Sequence, residues 1–358
     1  MTRSRLVLFI SVLVVALGVV GGLGALWLDS ARAAVGPLPG EGLVLPADTQ
    51  YVMGFDVKRV VASPMWTRMA SRPGMRPEGL KQLETWTGLD PARDIDQIVV
   101  AGRGRAGKTA PQPLVIATGR FDLEKLGGIL GQAKQATQRQ LEGTTLFTMT
   151  KQTESGQTES STLALLDAGA LVFGPSAGVE AVVASRSRGE TPLRQNTELI
   201  KLVESVKPGS TFWVVGGPSL LAAMPNRIPV PGMGGSGTSA GLNLPPLQSL
   251  TLTGDFDPQL SLALTGVAAD EVAATKLADV VRGLVALMSL QAQQKPELAQ
   301  LASAFSISTE MNRVLISARI PYELLEALQP KKQAAPEESS SSEAEDTGES
   351  TAGEEVQD

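Results

Sequence analysis

The residues best spaced for chemistry are Gly102-Arg-Gly-Arg-Ala-Gly107-Lys108-Thr109, which satisfy the phosphate-loop pattern GxxxxGK[ST]; their first six also satisfy GxGxxG. A strand-like run, Ile98 to Gly102, precedes them. A phosphate loop works because its Lys and Thr open a helix whose first N–H groups and dipole face the phosphates. Here Thr109 runs into Ala110-Pro-Gln-Pro113 and then the apolar Leu114 to Ala117. Pro113 lacks the N–H and clashes within a helical turn, so no helix can start there. The segment reads as a basic, Gly-rich hairpin loop, and Gly102, Gly107, Lys108 and Thr109 as a phosphate-site look-alike.

Other chemistry is limited by what is missing. The chain contains no histidine and no cysteine. That removes the usual general base, the commonest metal ligands, thiol nucleophiles and any Ser-His-Asp triad. Two close carboxylate pairs, Asp94-Ile-Asp96 and Asp255-Phe-Asp257, remain as a conceivable metal clamp or acid–base pair. Asp90-Pro91 and Asp257-Pro258 fit turn formation equally well. The expectation is a non-enzymatic protein with no catalytic residues, cofactor or metal. The alternative is an enzyme or nucleotide-binding protein using the carboxylate pairs or the Gly102 to Thr109 loop.

The elements that position these residues recur in order. Tyr51-Val-Met-Gly54 is matched by Trp213-Val-Val-Gly216, Ile98 to Gly102 by Leu250 to Gly254, and Val115 to Gly119 by Leu262 to Gly266. Each third run leads to a helix start. Asp122 caps Leu123 to Leu130, and Asp270 begins a helix through Leu290 with Ala273, Leu277, Val280, Leu284 and Leu287 on one face. Pro175 and Pro321 open closing helices. This predicts an α+β fold of two tandem repeats, each strand-helix-strand-strand-helix-strand-strand(-helix). Antiparallel sheets with helices on one face follow from that order, as two similar sheets side by side or one fused layer. Asn196 to Val206, with Leu199, Leu202, Val203 and Val206 on one face, bridges the units.

Around this body the composition shifts. Leu6 to Leu28 is about 23 residues without a charge, roughly 34 Å as an α-helix and enough to span a bilayer core. Arg3 and Arg5 precede it, so the positive-inside bias keeps the N-terminus cytoplasmic and exports the rest. The small-x-small triplet Ala31-Arg32-Ala33 also admits a cleaved signal peptide. The expected organisation is an anchor or signal peptide at 1–30, a spacer at 31–45, repeat one at 46–190, repeat two at 191–330 and a disordered acidic tail at 331–358. From Gln333 to Asp358 there are nine acidic residues and no basic ones. Without that tail the net charge of −6 becomes about +3, too weak to argue for nucleic acid. The expected partners are the membrane, through the N-terminal helix, and an unidentified envelope protein; the oligomeric state is left open. Met65, Trp66, Trp86 and Met233, in irregular segments between each unit's first helix and second strand, are interface candidates.

The opening Pro46-Ala-Asp-Thr-Gln-Tyr-Val-Met-Gly-Phe-Asp56, the stretch Leu89-Asp-Pro-Ala-Arg-Asp-Ile-Asp96 and the N-terminal anchor together resemble a family of uncharacterised, membrane-anchored bacterial envelope proteins. The resemblance spans roughly Leu45 to Leu328. It implies an extracytoplasmic, periplasmic body of tandem α+β units and carries no assigned activity or functional residue.

Overall fold

A computed structural model describes residues 38–70, 84, 89–103, 113–132, 136–152, 158–223, 227–229, 241–243, 245–290 and 296–328. The anchor run Leu6 to Leu28, the acidic tail, Trp86 and Met233 lie outside them. Among the described residues no helix is long and apolar enough to cross a membrane.

The first half of the chain sets β1 (Tyr51–Asp56), α1 (Val57–Val61), α2 (Pro64–Ala70) and α3 (Pro91–Asp94), then β2 (Ile95–Gly102) and β3 (Leu114–Gly119). After these come α4 (Leu123–Gly131), β4 (Ala136–Leu141), β5 (Thr144–Gln152), β6 (Thr158–Asp167), β7 (Ala170–Pro175) and α5 (Ser176–Ser187). Helix α6 (Thr197–Glu204) leads to β8 (Phe212–Gly216), α7 (Pro218–Ala223) and the short strands β9 (Arg227–Pro229) and β10 (Gly241–Asn243). The chain closes with β11 (Leu247–Asp255), β12 (Leu260–Ala268), α8 (Glu271–Leu290), α9 (Pro296–Ser303), β13 (Phe305–Glu310), β14 (Arg313–Ile320) and α10 (Tyr322–Ala327).

Caps explain several of these boundaries. Asp56, Asp122 and Asn196 each accept a backbone N–H three residues on, at 2.9, 2.9 and 3.2 Å, and so open α1, α4 and α6. Pro175 and Pro321 stand immediately before α5 and α10.

Among the described residues twelve strands form one antiparallel sheet in the order β13-β14-β12-β11-β8-β1-β2-β3-β7-β6-β5-β4. Pairing of β1 with β8, Tyr51 opposite Gly216 and Gly54 opposite Trp213, joins the two halves into a single layer. At this seam the backbone must leave room for a ring. A Cβ on Gly54 would overlap the indole of Trp213, which is 2% exposed.

Helices cover both faces, where the sequence reading placed them on one. Val52, Val99, Ile116, Val172 and Val215 pack with Val179, Val182 and Val183 of α5 and Leu199 and Val203 of α6. On the opposite face Phe55, Ile98, Val115 and Phe212 meet Val57 and Val60 of α1, Leu126 of α4 and Leu324 of α10. The correction has a physical cause: β2 and β3 carry consecutive apolar residues, such as Val99 with Val100 and Val115 with Ile116, and strand alternation sends them to opposite faces.

Three further elements depart from the expected order. The polar β4, ATQRQL, pairs with β5 across the left-handed pair Glu142 and Gly143, giving the first half an extra edge hairpin. The run Leu163 to Phe173 splits into β6 and β7 around Ala168 and Gly169. On either side of the expected irregular segment that carries Met233, the short strands β9 and β10 pair antiparallel.

Candidate functional site

Strand alternation builds the floor of the candidate site. On β11 the residues Ser249, Thr251 and Thr253 face the same side as Val215 and Trp213, because Thr251 lies opposite Val215 and Thr253 opposite Trp213. Across β11, β12 and β14 that face falls into rows. Ser249, Val267 and Arg313 form one row; Thr251, Thr265 and Leu315 form the next; Thr253, Ala263 and Ser317 form a third. None of these nine side chains is buried. The same face of β1, β2, β3 and β7 is covered by α5 and α6, so the layer steps down from a helix-covered half to an open, hydroxyl-rich half.

Helix α6 is the riser of that step. Asn196 fixes it: its side-chain amide donates to the carbonyls of Thr49 (2.7 Å) and Ala47 (3.1 Å), while its oxygen accepts the Leu199 N–H. This ties the helix start to the chain entering β1. Leu199 and Val203 are buried beneath the helix, leaving its other side to form a wall. Ser205 at the helix end donates to the Leu202 carbonyl (2.7 Å) and lies 3.5 Å from Thr251 across the step.

Between wall and floor runs an open groove of about 810 Å³, within the usual range for small-ligand sites. Its floor carries Ser249, Thr251, Thr265 and Val267, its far end Arg313, and its wall Lys201. Lys201 pairs with Glu198 at 2.9 Å, both strongly exposed at the rim. Arg313 makes no ion pair among the described residues, and Glu310 stands opposite it on β13. Hydroxyls donate and accept, and a guanidinium only donates. Such a lining can donate hydrogen bonds to, and accept them from, a polar molecule.

The groups with shifted pKa values stand elsewhere. Hydrogen bonding from Arg93 holds Asp94 below the usual carboxylate range, against some desolvation, and the Asp90 N–H adds to the effect. Burial pushes the Tyr322 hydroxyl up to about 12, the Asp257 charge adding and Arg68 opposing. Burial raises Asp167, but the Gly169 N–H and Arg186 outweigh it and leave its carboxyl below the ordinary value.

The structure disperses the sequence candidates. Gly102 ends β2 against the Tyr51 ring, while Gly107, Lys108 and Thr109 lie outside the described residues. β2 and β3 are antiparallel neighbours, and Arg103, just after β2, pairs with Asp48 at 2.5 Å. Three of the four paired carboxylates serve the backbone, a hydroxyl or a nearby cation. Asp94 closes the α3 turn, Asp96 pairs with Lys58, and Asp255 accepts from the Thr211 N–H (3.0 Å) and hydroxyl (3.1 Å). Asp94 ends a helical turn, and a register irregularity falls between Ile95 and Gln97, so Asp94 and Asp96 do not alternate along one regular strand. Met65, an interface candidate, is buried in the core beside Val60, and Trp66 is half-buried against it. The groove was missed because its signal is a bland one, the every-second-residue polarity of Ser249, Thr251 and Thr253.

No family model matches the chain, and no curated protein matches it. Among solved structures it is similar to the protein TP0453. Crystal form I shares 14% identity over 82% of this chain and 96% of that one, with a TM-score of 0.43. Crystal form III shares 14% identity over 82% and 97%, with a TM-score of 0.41.

Proposed function

We propose that this chain is a non-enzymatic binding or scaffolding module of the bacterial cell envelope. The Leu6 to Leu28 helix anchors it, and its body is extracytoplasmic and receives its partner in the groove beside α6. The observation that carries the binding role is the lining. Two-way hydroxyls on a sheet, one wall of helix and one unpaired guanidinium suit recognition, and the shifted carboxylates Asp94 and Asp167 serve a turn and an ion pair outside the groove. Supporting the membrane placement are the uncharged run, long enough for a bilayer, and the basic pair before it. The resemblance to anchored envelope proteins agrees with both.

The body is built, in this reading, from two tandem units spanning 46–190 and 191–330. What supports it is the strand order read outward from the seam: β8-β11-β12-β14 on one side and β1-β2-β3-β7 on the other, each second-to-third pair carrying one register irregularity, at Asp96 and at Gln248. The second unit leaves its sheet face open where the first is covered, which makes the groove a product of the asymmetry.

The test is a pull-down from detergent-solubilised membranes with the full chain, Thr265→Trp and Arg313→Glu, read by mass spectrometry. A partner held by the parent chain and lost with both variants, each retaining its circular dichroism spectrum, is the expected result. A partner retained by both variants places binding outside the groove.

A further inference from the structure

The groove's chemistry identifies a class of ligand, an inference that rests on the binding reading above. Along β11 the hydroxyls of Ser249, Thr251 and Thr253 recur every second residue, roughly 6.8 Å apart, the rise of two residues in an extended strand. An extended peptide repeats its own N–H and C=O pattern with that same spacing, and a hydroxyl serves either group because it both donates and accepts. Thr265, directly opposite Thr251, widens this ladder to a second strand.

Two strands across from Ser249, in the same row and on the side of the groove away from α6, stands Arg313, exposed and in no ion pair among the described residues. Its strand neighbour Glu310 lies opposite it and forms no salt bridge with it. A guanidinium beside hydroxyls matches a carboxylate bidentately, with donors left for a second oxygen. Along β11 the next hydroxyl, Thr253, lies just beyond the groove's lining and is half-buried on the same face of the sheet. Among the described residues no aromatic side chain lines the groove, so these offer no platform for stacking on sugar rings.

We infer that the groove captures the free C-terminal carboxylate of an extended peptide, with Arg313 on the carboxylate and the Ser249, Thr251 and Thr265 hydroxyls on the preceding backbone. Recognition through a terminal carboxylate and main chain is side-chain tolerant, which suits a module that meets peptide ends of varied sequence.

The test titrates the full chain in detergent with a mixed-sequence pool of fluorescent hexapeptides bearing free C-terminal carboxylates, and with the same pool as C-terminal amides. Fluorescence anisotropy should show the carboxylate pool binding at least tenfold more tightly, and Arg313→Gln should erase that preference while Arg313→Lys keeps part of it. Equal binding of acid and amide pools, or a preference that survives Arg313→Gln, overturns the inference, as does failure of both pools to bind. The binding reading itself is judged separately by the pull-down: a partner lost with Thr265→Trp keeps the groove as a binding site even if neither peptide pool binds.

Discussion

Single side chains in this protein act mostly by closing backbone. Asp94 accepts the Asp90 N–H at 2.8 Å and an Arg93 N–H at 2.8 Å, and these contacts favour its ionised form. Its folded pKa therefore lies below the unfolded value. The stability it contributes is fully present above that unfolded value and is lost as pH falls through the lower, folded one. Urea titrations from pH 7 down to 3 should show Asp94→Asn less stable at neutral pH and with a shallower loss on the acid side. Tyr322 has the opposite sign. Its raised value keeps stability intact below the ordinary tyrosine range and removes it as pH climbs towards 12, so Tyr322→Phe should flatten the alkaline limb of the same titration. Asn196 closes three backbone groups at once, and Asn196→Ala should cost about 1–3 kcal/mol in urea unfolding by losing a cap and two carbonyl partners. None of this was legible from residue type alone. Asp94 and Asp255 looked like chemistry because carboxylates near prolines serve turns and sites with the same letters.

Elements were more legible where periodicity ran long. Helix α8 begins after Asp270 and spans Glu271 to Leu290 as its apolar spacing predicts, and α4 and α6 start at their Asp and Asn caps. Edge and irregular pieces were not. β4 is a half-exposed strand of Thr, Gln and Arg whose only signal was the tight turn after it, and α9 lies beyond the reach of the long α8 pattern. The groove escaped because alternation of Ser and Thr marks any half-solvated strand; what makes a site of it is α6, which ends beside it and stops covering the sheet. At the β1–β8 seam the packing is tight enough to test. Gly54→Ala should destabilise by about 1–3 kcal/mol through overlap with the indole, and Trp213→Ala by about 3–5 kcal/mol through the cavity left. In the double variant the two costs should fall short of their sum, because removing the ring makes room for the methyl group.

At the scale of the whole molecule the α+β class and the strand runs were readable, while their fusion into a single twelve-stranded layer was left open by the sequence. Antiparallel pairing of β1 with β8 leaves no mark on composition, since either strand reads as an apolar run ending in Gly. The proposed membrane placement makes its own prediction. Because the chain has no cysteine, one introduced by Ser317→Cys, on the exposed sheet face, is a unique label site. In cells with a permeabilised outer layer and an intact inner membrane, a membrane-impermeant maleimide should label it fully. Labelling only after detergent lysis would put the body in the cytoplasm.

The account stands or falls on whether a partner occupies the groove beside α6. A photo-reactive amino acid at Thr265, on the groove floor, and the same residue at Arg188, exposed beyond the end of α5, allow a direct comparison in the membrane. The account predicts ultraviolet-dependent adducts from position 265 and none from position 188. Adducts from 188 alone, or from neither position, would contradict it.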